Sequence, residues 1–274
     1  MQRIKRLGVV AAAVLSATSA QAMVTISSGA TANMTCAGGV CAPTAKNAVL
    51  NVGDLQTLLA SGNMTVTTTG TGVQASDINV EAALGWSSSG TLSLLANKSV
   101  TVNNPVSIAG LSALTIETGG KNGTFSFGAK GNVGFANQSS TLTINGAAYA
   151  LVGNIKTLAS DIAANPSGAF ALAASYDASQ DGTYNASPIP TKFNGSLEGL
   201  GNTISDLSID GVTEIAPNLY TGLFAYVDTH GMIENIGFVN ANIRVPKKLA
   251  VGGRSLATVL VQSNPAMWQV PQEA

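Results

Sequence analysis

TLSLLANKSVTVNNPVSIAGLSALTIE, residues Thr91 to Glu117, states one small theme four times: an apolar residue, a small polar one, an apolar one. The instances are Leu92-Ser93-Leu94, Val100-Thr101-Val102, Val106-Ser107-Ile108 and Leu114-Thr115-Ile116. Alternation of this kind turns two side chains to one face and the middle one to the other, so each instance reads as a short strand. The Asn, Gly and Pro residues between them are turn chemistry. Outward from this stretch the theme continues in Met64-Thr65-Val66, Ile78-Asn79-Val80, Phe125-Ser126-Phe127, Val133-Gly134-Phe135 and Leu142-Thr143-Ile144.

The spacing carries more than the strands do. Leu92 and Leu114 stand 22 residues apart, as do Ile78 and Val100. Val100 to Phe125 is 25 residues and Val106 to Val133 is 27. A period in the twenties holding about three short strands is what one turn of a parallel β-helix requires, because no such turn can bury its inner face without a neighbour. A β-sandwich, with turns every roughly 8–12 residues, is the competing reading and matches some of the steps. The expectation is an all-β chain, a parallel β-helix with one or two short helices at module boundaries. The helical candidates are Asp54–Ala60, with Asp54 as N-cap and Gly62 as stop, and Ile155–Ala164, where Ile155, Leu158 and Ile162 recur before Asn165 and Pro166.

Composition narrows the partners. The chain begins with basic Arg3, Lys5 and Arg6, an apolar run from Leu7, and the small-residue ending Ala20-Gln21-Ala22. That order predicts a secretory signal peptide cut between Ala22 and Met23, leaving no integral membrane span. Without residues 1–22 the chain holds 10 basic and 14 acidic residues, a net −4. No basic field is left to hold nucleic acid. Only 10% of the residues are charged, against roughly 25% in ordinary domains, so polarity comes from Ser, Thr, Asn and Gly. Cys36 and Cys41 enclose Ala-Gly-Gly-Val, and in an exported chain this pair predicts a local disulfide that pins the start of the fold.

Two longer stretches resemble a known family. Asn51 to Thr68, with its continuation through Asp77–Val80, Trp86, Thr91–Leu94 and Val100–Val102, is similar to passenger segments of filamentous haemagglutinin-like exoproteins. Phe193-Asn-Gly-Ser-Leu-Glu-Gly-Leu-Gly-Asn-Thr-Ile-Ser-Asp-Leu-Ser-Ile209 resembles the glycine-spaced repeats called GLUG-type in bacterial adhesins, as does Tyr220–Val227 followed by Gly231–Phe238. The resemblance spans roughly residues 33–243. It implies a right-handed parallel β-helix, passage across both bacterial membranes with a possible outer-membrane transporter, and attachment to glycans or proteins on host or neighbouring cells. Carried over position by position, it makes Gly195, Gly199, Gly201, Asn202, Gly222, Gly231 and Asn235 structural turn and stacking residues. The Asn-Pro-Asn motif of two-partner secretion does not occur, and no C-terminal barrel strands are readable.

The expected organisation is a signal peptide (1–22), an entry segment with the cysteine loop (23–50), passenger-like coils (51–150) and a helix-containing connector (151–190). GLUG-like coils (191–245) and an atypical tail (246–274) follow, the tail being either a cap or foreign to the family of a shortened member. Chemistry is sparse. Asp206, Asp210 and Asp228 are the carboxylates weighed for a polysaccharide-active site, and they read as solvated turn residues. Asp177-Ala-Ser-Gln-Asp181-Gly182 mimics a calcium loop but has Pro188 where the closing Glu belongs. His230 has no nucleophile elbow to serve. No catalytic residue, cofactor or metal is expected.

Overall fold

The computed structural model describes residues 22–119, 122–215, 218–245 and 256–258. The signal-peptide reading, apart from Ala22, and the tail reading, apart from 256–258, lie outside the described residues. The rest is mostly β, with short strands joined in parallel ladders.

Each spacing read from the sequence is a pairing. Leu92 lies in register with Leu114, Ile78 with Val100, Val100 with Phe125 and Val106 with Val133, every pair parallel. One ladder runs through Phe125–Phe127, Val100–Val102, Asp77–Val80, Met23–Ser27 and Ala48–Asn51. A second stacks Val40–Pro43, Met64–Thr67, Leu92–Leu95, Ala113–Glu117 and Thr141–Ile144. The third holds Val133–Phe135, Val106–Ile108 and Leu84–Trp86, the last a strand that the sequence reading did not mark. Parallel neighbours in register put like residues over like. Met64, Leu92, Leu114 and Leu142 form one buried column, and Val66, Leu94, Ile116 and Ile144 another. Each such side chain contributes roughly 1.5–3 kcal/mol of burial, and only because the rungs above and below cover it.

One end of this stack of ladders is covered. Met34–Ala37 pairs antiparallel with Val40–Pro43 and closes the second ladder, with Cys36 opposite Cys41 and the two joined by a disulfide. Helix α1 (Val52–Ser61) lies against Leu84–Trp86, where Gln56 Nε2 donates to Gly85 O at 2.9 Å and Ser88 Oγ to Leu59 O at 2.7 Å. Covered edges do not template pairing with other chains. The cap of α1 differs from expectation. Asn51, not Asp54, is the N-cap, its side chain accepting from Gly53 N at 2.8 Å and Asp54 N at 3.2 Å. Asn51 stands on extended backbone just before the first turn, where its side chain reaches the first free N–H groups, which leaves Asp54 inside that turn. The 23–50 segment also does more than enter the fold, since Met23–Ser27 sits between Asp77–Val80 and Ala48–Asn51.

Because the disulfide closes a hairpin of only five residues' separation, its entropic contribution is about 2 kcal/mol. Reduction is expected to lower the melting temperature by a few degrees and leave the far-ultraviolet dichroism unchanged. Loss of the β signal on reduction would show that the hairpin organises the whole stack.

Helix α2 (Ile155–Ala164) begins at Asn154, whose Oδ1 accepts from Thr157 N at 2.8 Å. Around it the apolar interior divides in two. Strand Ala169–Leu172 lies between the halves and is buried on both faces: Ala171 joins the first cluster, Phe170 and Leu172 the second. Beyond it Ser196–Glu198 and Met232–Glu234 extend the same sheet, while Thr203–Ser205 pairs with Gly237–Val239 and Ser208–Asp210 with Asn242–Arg244. Strand Leu256–Thr258 pairs with Asn218–Thr221.

Candidate functional site

Two tetrapeptides 36 residues apart share a pattern: Gly195-Ser-Leu-Glu198 and Gly231-Met-Ile-Glu234. Their strands pair in parallel register, Leu197 with Ile233 and Glu198 with Glu234. Leu197 points into the second core, so strand alternation sends both carboxylates to the opposite face. That face is not solvent for Glu198, which is only 5% exposed, whereas Glu234 is exposed.

Burial without a cation sets the chemistry of Glu198. Desolvation dominates and pushes its carboxyl up to about 7. The neighbouring Glu234 charge adds to that rise, while hydrogen bonds from Leu200 N (2.8 Å, to Oε1) and Asn235 Nδ2 (3.1 Å, to Oε2) oppose it. Tyr149 is raised as well, first by burial and then by the Glu198 charge, with a Ser196 hydrogen bond acting the other way. These groups line a cavity of about 440 Å³ at the junction of the two halves. Gly123–Phe125 and Asn145 form one wall, and Ser196, Glu198, Glu234 and Asn235 form another. Among the described residues no Lys or Arg lines it.

The turn after Glu198 explains why this acid is held so firmly. Leu200 adopts φ 56°, in the left-handed region that side chains usually avoid, and is fully buried in the first core while Leu197 and Ile204 enter the second. The Glu198 carboxylate accepts the Leu200 N–H and so stabilises that reversal. Gly201 follows at φ 72°, packed so closely on Gly131 O and the Phe127 ring that a side chain would collide.

Of the residues expected from the sequence, several meet here. Gly199 N donates to Glu234 O (2.8 Å) and Gly201 N to Asn235 O (2.8 Å), while Asn235 adopts φ 53° and holds Glu198. Gly195 O accepts from Met232 N at 2.9 Å. Asn202 Nδ2 donates to Val133 O (2.8 Å) and Leu172 O (3.2 Å), which ties the two halves. Gly222 (φ 147°) and Gly231, whose N–H donates to Asp228 O at 2.9 Å, lie in turns away from the cavity's acids.

The three weighed aspartates do not converge. Asp206 occupies a left-handed turn, Asp210 ends a strand, and Asp228 sits 3.0 Å from Lys192 Nζ, whose hydrogen bond holds its carboxyl below the usual range. Asp177 caps a 3-10 turn by accepting from Ser179 N at 2.9 Å. Asp181 instead joins α2 to the connector through Lys156 Nζ (3.5 Å) and Tyr184 Oη (2.7 Å). His230 is exposed in a turn. Among the described residues no three His, Cys, Asp or Glu side chains are grouped to hold a metal ion, and no helix is long and apolar enough to cross a membrane. Glu198 and Glu234 were missed by reading each acid alone. The repeated Gly-x-Leu/Ile-Glu was their signal.

Glu198 makes stability pH-dependent with a definite sign. Below about pH 4.5 the carboxyl is neutral in folded and unfolded chains alike, and its contribution is fully present. As pH rises toward about 7 the unfolded chain ionises first, so stability falls by roughly 3 kcal/mol and then levels. Glu198→Gln keeps an acceptor for Leu200 N and removes that loss. The variant is expected to be more stable than the parent at pH 8 and close to it at pH 4.5, by urea unfolding at both values. Parallel pH profiles would show that Glu198 does not titrate in this range.

No family model matches the chain, and no solved structure does. Among curated proteins, Halomucin of Haloquadratum walsbyi (strain DSM 16790 / HBSQ001) is 38% identical over 82 residues, 29% of this chain. The chain spans about 1% of that protein's length, so the similarity is local.

Proposed function

We propose that this is an exported, adhesin-like protein whose parallel ladders are the faces of a right-handed β-helix, and that it works by binding and display, without catalysis. The observation that supports this reading is the outer side of the ladders. Thr65, Ser93, Thr115 and Thr143 stack in register opposite the buried columns, an uncharged hydroxyl row repeated rung by rung. Such a face offers many weak, equivalent contacts, which gain strength through avidity when copies are clustered. Its partners are glycans or proteins of a host or neighbouring surface, reached with or without an outer-membrane transporter.

The test has two arms. Culture fractionation with N-terminal sequencing should find a mature chain that begins at Met23 outside the cytoplasm. Beads that carry many copies should adhere to cell or glycan-coated surfaces far better than the monomer does. An intact N-terminus in the cytoplasm, or beads that do not adhere, overturns the reading. A second reading, a carbohydrate-active enzyme, is favoured by one observation: Glu198 and Glu234 face the same cavity. It requires polysaccharide chains to shorten on incubation, and Glu198→Gln to stop that shortening.

A further inference from the structure

We propose that the cavity between Phe125, Tyr149, Glu198 and Asn235 is a binding site for one ring of a neutral saccharide. The inference rests on the binding reading above and names the ligand class and place that it leaves open. At about 440 Å³ the cavity lies within the roughly 300–1,000 Å³ of small-molecule sites.

The walls divide by chemistry. Phe125 and Tyr149 supply aromatic surface of the kind that packs against the C–H face of a sugar ring. Phe125 is already fixed, edge-to-face with Phe127 at 4.8 Å. Ser196, Asn235 and the two carboxyl groups supply the polar side. Both oxygens of Glu198 are engaged, by Leu200 N and Asn235 Nδ2. What remains for a ligand is therefore spare acceptor capacity on the acid, the Asn235 carbonyl and the capacity that the Ser196 hydroxyl keeps beyond its bond with Tyr149. That mixture suits a ligand whose groups both donate and accept, as hydroxyls do.

A cation fits less well. A site for one would keep its carboxylates ionised and convergent, whereas burial holds Glu198 half-protonated near neutral pH and Glu234 is exposed to water. The protonated fraction of Glu198 adds a donor, so binding of a sugar tolerates acid while binding of a cation does not. The charged and titratable groups facing Glu198 are Glu234 and Tyr149.

The experiment applies the full chain to a printed array of neutral and acidic oligosaccharides, then titrates the best neutral binder by calorimetry, with putrescine and calcium as cationic probes. Tyr149→Ala removes the aromatic wall. Asn235→Gly removes the amide while keeping a residue at ease at φ 53°. Ser107→Ala, on the ladder of Leu84–Trp86, Val106–Ile108 and Val133–Phe135, which contributes no residue to the cavity lining, is the control. Thermal melting confirms that each variant is folded. The expected result is binding of a neutral oligosaccharide that both cavity variants weaken by about tenfold or more, a loss of about 1.4 kcal/mol, with the control unchanged. An array on which no neutral saccharide binds, or binding of the cations alone, overturns the proposal. Binding that survives both variants overturns the site while leaving the adhesive reading intact, and loss of bead adhesion with cavity binding retained does the reverse.

Discussion

Phe193→Ala is expected to destabilise the second half of the molecule by about 3–5 kcal/mol. Phe193 is fully buried, with its ring centre 5.3 Å from that of Phe224 and 6.4 Å from that of Phe170. These three rings come from separate segments, so truncating the middle one leaves a void that no single neighbour can fill. The backbone around it is also committed: Phe193 N donates to Tyr226 O at 3.0 Å and Phe193 O accepts from Asp228 N at 2.7 Å. Collapse of the void would have to break that pairing. Phe193→Leu keeps most of the volume and should cost less than half as much. Urea unfolding of the two variants measures the difference, and a cost for the alanine variant below about 1 kcal/mol would show that the rings do not form one packed unit.

Asn202→Ala is expected to cost about 2–4 kcal/mol through polar groups alone. Asn202 is 1% exposed. Its amide donates to carbonyls of both halves, Val133 O and Leu172 O, and its Oδ1 accepts from Asn132 Nδ2 at 3.1 Å. Removal strands buried acceptors that water cannot easily reach. Asn202→Asp separates this account from simple packing. At neutral pH it places an anion against two carbonyls and should be worse than alanine. In acid the protonated carboxyl regains one donor and should recover part of the loss, as denaturant titrations at pH 4 and 7 would show. Equal stability of the aspartate variant at both values would mean that the amide's donors are not what joins the halves.

Both positions show how far the sequence could be read. Asn202 was legible as a structural turn and stacking residue only through the resemblance to glycine-spaced adhesin repeats. Which backbone it would reach was not legible, since Val133 is 69 residues away. Leu200, a residue of the glycine-spaced stretch with no role of its own legible in the sequence, adopts φ 56°. It takes the left-handed turn and enters the first core, while its neighbours Leu197 and Ile204 enter the second. Asp54 looked like a helix cap because the apolar period begins after it, but Asn51 stands where the extended backbone turns.

The sequence by itself, though silent on Leu84–Trp86 and on the strands of the 23–50 segment, determined the strands of the repeated theme between Met64 and Ile144, their alternation and the registers that their spacing states. Those features depend on local periodicity and on a repeat length that a parallel stack must honour, and both are written in residue order. Only the tertiary structure decided where the two cores divide, and that Glu198 lies buried at their junction beside Tyr149 and above Asn235. A carboxyl's environment is set by what covers it. Here Glu198 shares its cavity with Gly123–Phe125, more than seventy residues earlier in the chain, so no reading of FNGSLEGLG could have distinguished a solvated turn acid from one held near neutrality.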